Sequence, residues 1–169
     1  MEIKIKLMEK CDVDKVISIE EKAYGEHHWS KESFMNELAN ELARYYSAFN
    51  ENGDLIGYAG CWQILEEVHI TNIAVSPDFR RQKVGETLLK RIIDDCYKNM
   101  AKYITLEVRA SNVAAISLYE KFGFKSLGLR KGYYQNNNED ALIMWTENIF
   151  YDKFKLNYEK LTSSPVGKG

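Results

Sequence analysis

The order of apolar patterns along this chain predicts an α+β fold, built in layers around a central sheet. Short apolar runs, alternating or rich in β-branched residues, recur along the sequence and are typical of strands. Longer segments with apolar residues every three or four positions lie between them and are typical of amphipathic helices. The pair Asn52-Gly53 separates two of the strand-like runs, and Asn-Gly is a strong hairpin signal.

The first half of the chain predicts two helices with side-chain caps. Asp12 precedes a run with Val13, Val16 and Ile19 on one face, which ends near Gly25, and Ser30 precedes a second, shorter helix. Aspartate and serine are favoured before a helix because their side chains accept hydrogen bonds from its first N–H groups. The predicted strands of this half are residues 2–7, 45–49, 55–64 and 68–75.

The second half alternates helix and strand. A helix is predicted over 83–100, with Val84, Leu88, Ile92 and Cys96 facing the core, and then a strand over 103–108. Asn112 begins the next helix, which Gly123 ends. Two final strands, 124–134 and 141–145, flank a polar turn at 136–138.

A chain of 169 residues with two prolines and 45% apolar content predicts one main domain, over residues 1–147. The pattern changes after that, and residues 148–169 are predicted to form a C-terminal extension, partly helical and then disordered. Phe154 and Tyr158 have nearly helical spacing there, and we expect this aromatic stripe to pack on the domain.

Charge and cysteine content narrow the function classes. With 23 basic and 25 acidic residues, the net charge of −2 argues against a general nucleic-acid binder. The three cysteines match neither a disulfide framework nor a zinc pattern, and no apolar run is long enough to span a membrane, so we expect a cytoplasmic protein. His27-His28 lack a third ligand at suitable spacing, so we expect no metal.

The basic loop from Arg80 to Gly85, at the start of a predicted helix, has the composition of a phosphate site. A helix start carries unpaired N–H groups and partial positive charge, and Gly85 allows close approach of the backbone. Arg80, Arg81 and Lys83 add positive side chains. On these residues alone, a solvated helix start is the favoured interpretation.

Several further motifs make the chain resemble the Gcn5-related N-acetyltransferase (GNAT) superfamily over roughly residues 1–147, and within it the ribosomal-protein alanine N-acetyltransferase (RimI) branch. The sequence LEVRASN followed by LYE is quite specific. The residues that carry the resemblance are Ile73-Ala74-Val75, Arg80 to Gly85, Leu106 to Asn112, Leu118-Tyr119-Glu120, Gly123-Phe124, Tyr133-Tyr134 and Glu139-Asp140-Ala141.

The resemblance implies a GNAT fold: a mixed, mostly antiparallel sheet, splayed between strands 4 and 5, with helices on both faces. It implies that acetyl-CoA binds along strand 4 and on the basic loop, and that the Val75 N–H polarises the thioester carbonyl. Lys83 stands where the family usually has glycine, and we expect an ordinary negative φ there. The implied coenzyme residues are Ile73, Ala74, Val75, Arg80, Arg81, Gln82, Lys83, Val84, Gly85, Glu86 and Asn112.

The resemblance also implies two catalytic residues. Glu107 would act as general base, through a water molecule, and Tyr119 as general acid at the sulfur. Strand periodicity places Glu107 opposite Leu106 and Val108. Without the motif, Glu107 could equally be a strand glutamate paired with Arg109, and Tyr119 a tyrosine packed in the core.

The implied acceptor is a protein N-terminus, with a small-subunit ribosomal protein beginning in alanine as the leading candidate. An α-amino group has a pKa of about 8 and lysine about 10.4, so at neutral pH the α-amine is more often unprotonated. Candidate substrate-binding residues are Trp29, for which packing is the favoured role, and Tyr133 and Tyr134, a wall of the peptide groove.

The sequence thus predicts direct transfer of acetyl from acetyl-CoA to a protein α-amine in a ternary complex, without contact to nucleic acid or membrane. Two alternatives remain open at this stage. One is an acetyltransferase of broader range, acting on other N-termini, lysines or small amines. The other is a noncatalytic acyl-CoA-binding module.

Overall fold

The computed structural model describes residues 1–25, 28–134 and 139–163, without the side chains of 130–134 and 139. Its chain divides into two compact units. Unit 1 consists of Met1–Ile64 with Ile70–Asp95, and unit 2 of Leu65–His69 with the described part of Cys96–Gly169. The predicted polar turn at 136–138 and the end of the predicted disordered tail lie outside the described residues.

The helices and strands follow the predicted order closely. Unit 1 contains β1 (Lys4–Leu7), α1 (Val13–Tyr24), α2 (Lys31–Leu38), β2 (Ala43–Phe49) and β3 (Leu55–Ile64). It also contains most of β4 (Glu67–Val75) and of α3 (Val84–Lys98), whose remaining residues belong to unit 2. Unit 2 holds the remainder: β5 (Tyr103–Arg109), α4 (Val113–Lys121), β6 (Lys125–Tyr134), β7 (Glu139–Trp145) and α5 (Asp152–Thr162).

The strands follow the order β1-β2-β3-β4-β5-β7-β6. The pairs β1–β2, β2–β3, β5–β7 and β6–β7 are antiparallel. Strand β4 is shared between the units, because residues 67–69 belong with β5 and the rest of the strand belongs to unit 1. At the shared end, the N–H groups of Lys102 and Tyr103 donate to the Glu66 carbonyl, at 2.7 and 3.1 Å. The starts of β4 and β5 are therefore adjacent, and the two strands run parallel, as the predicted mixed sheet requires.

The core of unit 1 is aromatic. The rings of Tyr45 and Tyr58 both meet Phe34 edge-on, with centroids 6.3 and 5.7 Å away. Helix α1 packs Val16 and Ile19 against this cluster. Val16 and Ile19 lie on the same face of α1 because of their spacing in the sequence, and this apolar face is the one that is buried.

The two predicted helix caps have different outcomes. The Ser30 hydroxyl accepts a hydrogen bond from the Ser33 N–H at 3.1 Å, so that prediction is confirmed. Asp12 precedes α1 but makes no side-chain cap to it, so that prediction is wrong. Its carboxylate instead accepts from the Glu9 N–H and the Ser47 hydroxyl, at 2.9 and 3.3 Å, because the chain turns through a short 3-10 helix just before α1.

In unit 2, helix α5 packs on the segment that ends α4. Phe154 and Tyr158 are buried, and the Tyr158 ring lies 6.2 Å from that of Phe122. Gly123 has a φ of +99°, and a Cβ there would approach the Phe154 ring to 2.9 Å. Glycine is needed at this position for both reasons.

None of the described helices is long and apolar enough to cross a membrane.

Candidate active site

The basic loop of unit 1 has an unusual backbone. Arg80 is extended, Arg81 has a φ of +62° and Lys83 a φ of +67°. Our expectation of a negative φ at Lys83 is therefore wrong. The loop keeps a left-handed conformation, for which glycine is favoured, and imposes it on a lysine.

Left-handed residues alternate in this loop with a residue of negative φ, Gln82. Such alternation turns successive N–H groups toward one point and forms an anion-binding concavity. The loop leads directly into α3, whose first N–H groups and dipole favour negative charge at the same end. An open cleft of about 480 Å³ lies here, lined by Met1, Ile3, Arg81, Gln82, Lys83 and Thr87.

Packing inside unit 1 fixes the start of α3. A Cβ at Gly57 of β3 would come within 3.0 Å of both the Ala74 carbonyl oxygen and the Val84 side chain. The absence of that Cβ lets the first turn of α3 lie close on the sheet. The N–H and hydroxyl of Thr87 both donate to the Lys83 carbonyl, at 3.0 and 2.6 Å, which holds the loop residue at the helix entrance.

Glu107 lies on β5 of unit 2. Ile104, Leu106 and Val108 are buried on one face of this strand, and Glu107 faces the other side, as strand alternation predicts. The Glu107 side chain is nevertheless only 13% exposed. It is therefore a shielded carboxylate, and not an ordinary surface glutamate.

The partner of Glu107 is a residue that the sequence reasoning missed. Nε2 of His69 lies 2.6 Å from Oε2 of Glu107, and the His69 side chain is 39% exposed. His69 stands at a half-buried position of β4, the same type of position that Glu107 occupies on β5. The alternation of VHITNIAV was the available signal, since it places His69 on one face with Ile73 and Val75.

Tyr119 lies on α4 of unit 2 and is buried, with 7% exposure. Its ring lies 5.6 Å from that of Phe124, and its carbonyl accepts the Phe124 N–H at 3.0 Å. The packed ring agrees with the interpretation of Tyr119 as a core tyrosine, and the role of its hydroxyl as general acid stays a prediction.

Asn112 caps α4. Its side-chain oxygen accepts a hydrogen bond from the Ala115 N–H at 3.2 Å. Because that oxygen already has a partner, the amide nitrogen is the group that a ligand would meet as a donor.

Of the three candidate substrate residues, the structure describes the side chain of Trp29. Trp29 belongs to the aromatic core of unit 1, with its ring 5.4 Å from Phe34, and its backbone N–H donates to the Glu20 carboxylate at 2.8 Å. Tyr133 and Tyr134 end β6, and their side chains lie outside the described part of the structure. Among the described residues, no group of histidine, cysteine and acidic side chains has the spacing of a metal site.

The fold and these residues define a class of enzyme. The model of the acetyltransferase (GNAT) family matches residues 13–124. The chain belongs to this family and is an N-acetyltransferase.

Its relatives are also specific in name. It is 42% identical, over 79% of its length and 88% of the relative, to a Bacillus subtilis (strain 168) protein provisionally named [ribosomal protein bS18]-alanine N-acetyltransferase. It is 38% identical to the Escherichia coli (strain K12) [ribosomal protein bS18]-alanine N-acetyltransferase, over 83% of this chain and 94% of that one. The crystal structure of the ribosomal-protein-S18-alanine N-acetyltransferase from Escherichia coli superposes with a TM-score of 0.78, at 34% identity, covering 87% of this chain and 94% of that one. This similarity confirms the predicted fold class.

Proposed function

We propose that this enzyme transfers acetyl from acetyl-CoA to the N-terminal α-amine of a protein, an alanine-starting ribosomal protein, by direct transfer in a ternary complex. The observation that carries the proposal is the 38% identity over 94% of a relative named for that reaction. A ribosomal-protein acceptor would place the reaction in the cytoplasm.

The basic loop supports the coenzyme assignment. The positive φ values of Arg81 and Lys83 on either side of Gln82, the start of α3 and the positive side chains form a cradle suited to a pyrophosphate. The amide nitrogen of Asn112 would add a donor in unit 2. The rest of the proposed coenzyme set comprises Ile73, Ala74, Val75, Arg80, Gln82, Val84, Gly85 and Glu86, with the Val75 N–H directed at the thioester carbonyl.

Glu107 would serve as the general base. The acceptor amine must be neutral to attack, and it becomes a cation as its new C–N bond forms. Glu107 takes the excess proton through a bridging water molecule. Its limited exposure of 13% supports this role, because the charge of a carboxylate that is shielded from water interacts more strongly with nearby groups.

Tyr119 would serve as the general acid. When the C–S bond breaks, the departing thiolate needs a proton, and the Tyr119 hydroxyl donates it. The buried ring supports this role, since its packing against Phe124 restricts where the hydroxyl can point. Regeneration requires only exchange of the two protons with solvent.

We propose Tyr133 and Tyr134, at the end of β6, as one wall of the peptide groove. Trp29 is a candidate acceptor residue of unit 1, where packing in the aromatic core is its favoured role. We also propose residues 1–147 as the catalytic domain, with 148–169 as an extension whose helix α5 covers the end of α4.

The test is a site-mapping experiment. The enzyme is incubated with acetyl-CoA and a basic peptide that begins with alanine and contains one internal lysine, and the acetyl group is located by tandem mass spectrometry. We expect modification at the α-amine, and none on a control peptide whose N-terminus is already blocked. Modification of lysine alone, or of both peptides equally, would contradict the proposed specificity.

A further inference from the structure

The pair formed by His69 and Glu107 carries an inference beyond the proposed base. We propose that His69 is a positioning residue for the reaction: its imidazole donates a hydrogen bond that orients the Glu107 carboxylate toward the acceptor amine. The inference rests on the proposed function, because it assumes that Glu107 is the base.

The geometry of the pair supports a directed bond. The distance of 2.6 Å from Nε2 to Oε2 is short for an N–H···O hydrogen bond, and hydrogen bonds to an ionised group are shorter than those between neutral groups. Both residues lie in unit 2, and the backbone bonds from Lys102 and Tyr103 to Glu66 fix the register of the two strand starts. The bond therefore links two rigid strands and involves no loop.

The chemistry of the two groups sets the direction of the bond. An ionised carboxylate can only accept, so Nε2 of His69 must carry the hydrogen when Glu107 is ready to act as base. A nitrogen that already carries a hydrogen cannot also take the proton that Glu107 receives. Within this bond the role of His69 is consequently to orient Glu107, and the acceptor's proton remains on Glu107 until solvent removes it.

The exposure of His69 and Glu107 also agrees with a positioning role for His69. The Glu107 side chain is 13% exposed and that of His69 is 39% exposed. A carboxylate with little water around it depends on protein donors for its orientation. His69 supplies one such donor while its own ring remains hydrated at the edge.

The test compares three substitutions at His69. His69→Gln keeps an N–H at about the position of Nε2, His69→Asn is polar but too short to reach Glu107, and His69→Leu has no donor. We expect kcat to fall about 10- to 100-fold in the leucine and asparagine variants, because a misplaced base loses alignment. We expect His69→Gln to keep most of the activity and all variants to keep the KM for acetyl-CoA.

A matched control comes from the neighbouring ion pair of Lys102 and Glu66. It joins the same two strand starts at 2.9 Å, and both side chains are more than a third exposed. Glu66→Gln should leave kcat at the wild-type value. Circular dichroism and thermal melting then show that every variant is folded.

The double variant Glu107→Gln/His69→Leu separates positioning from packing. If His69 acts through Glu107, the double variant is no slower than Glu107→Gln alone. Additive losses, or equal losses in His69→Gln and His69→Leu, would overturn the positioning role. Full activity of His69→Leu would also overturn it, while leaving the base assignment intact.

The assignment of Glu107 as general base is tested separately, by Glu107→Gln. If Glu107→Gln keeps full activity, the proposed mechanism is wrong whatever His69 does. If Glu107→Gln is only mildly slower and His69→Leu is inactive, then His69 itself is the base.

Discussion

Two shielded carboxylates, Glu20 in unit 1 and Glu107 in unit 2, have opposite surroundings. Glu20 is 1% exposed, and its two oxygens accept hydrogen bonds from the Tyr58 hydroxyl and the backbone N–H of Trp29. Glu107 keeps 13% of its side chain exposed, and its partner His69 is in contact with solvent. A carboxylate that water does not reach maintains structure, whereas one that still reaches water can exchange protons.

The largest expected effect is on catalysis. Glu107→Gln should lower kcat by about 10²- to 10⁴-fold, the usual range for loss of a general base. Glu20→Gln should leave kcat near the wild-type value, because an amide can accept from Trp29 and donate to the Tyr58 oxygen. Steady-state rates with saturating acetyl-CoA measure both. A large loss of kcat in folded Glu20→Gln would remove the distinction between the two carboxylates.

The next effect is on stability, at the partner of Glu20. Burial raises the pKa of the Tyr58 hydroxyl well above its usual range, and the nearby Glu20 carboxylate adds to this, so Tyr58 is the donor in their bond. Tyr58→Phe leaves a buried oxygen of Glu20 without its donor and should lower the free energy of unfolding by about 1–3 kcal/mol. Urea denaturation measures the loss. The control is Tyr151→Phe, at a residue that is 61% exposed, and it should change nothing.

A smaller effect is the pH dependence of stability. Burial raises the pKa of Glu20 above its ordinary value of 4.5, and the bonds from Tyr58 and Trp29 offset this only in part. The folded state therefore holds the proton more tightly than the unfolded state does. Relative to Glu20→Gln, the wild type should lose stability as the pH rises from about 4.5 through the raised pKa, and the difference should then level off.

The measurement is urea denaturation of wild type and Glu20→Gln at a series of pH values. The difference between the two curves isolates Glu20 from the other acidic groups. A difference that grows more favourable to the wild type with rising pH would contradict the assigned direction.

The smallest effect extends the comparison to the backbone of the basic loop. Lys83→Gly removes the strain of a left-handed lysine, about 1–2 kcal/mol, but gives the unfolded chain more freedom, about 0.4–1 kcal/mol. We expect a net stabilisation of about 0–1.6 kcal/mol. Gln82→Gly, next to it and at negative φ, should destabilise instead. If both variants are destabilised alike, Lys83 carries no strain.

Most of the fold could be predicted because its signals are local. The Asn52-Gly53 turn, the Ser30 cap and the end of α4 at Gly123 each depend on residues a few positions apart. Apolar spacing then identified the buried faces of the helices and strands. The predicted Asp12 cap was wrong because the chain forms a 3-10 helix before α1, and the Asp12 carboxylate accepts from the Glu9 N–H and from the Ser47 hydroxyl on β2.

The candidate site was only partly predictable for the same reason. Glu107 and Tyr119 follow from a motif, and their faces follow from periodicity. The bond between His69 and Glu107 depends on which strands are neighbours and in what register, and the sequence carries that information only through the folded chain. The conformation of Lys83 likewise results from its setting in the loop and not from its own preference.

The left-handed lysine has a consequence for how such enzymes are recognised in genomes. A search pattern that requires glycine at this place would pass over the chain, although its backbone adopts the shape for which glycine is normally selected. Lys83 takes that shape with its carbonyl held by the two bonds from Thr87. Lysine at this position is therefore compatible with the backbone shape that the proposed coenzyme site uses.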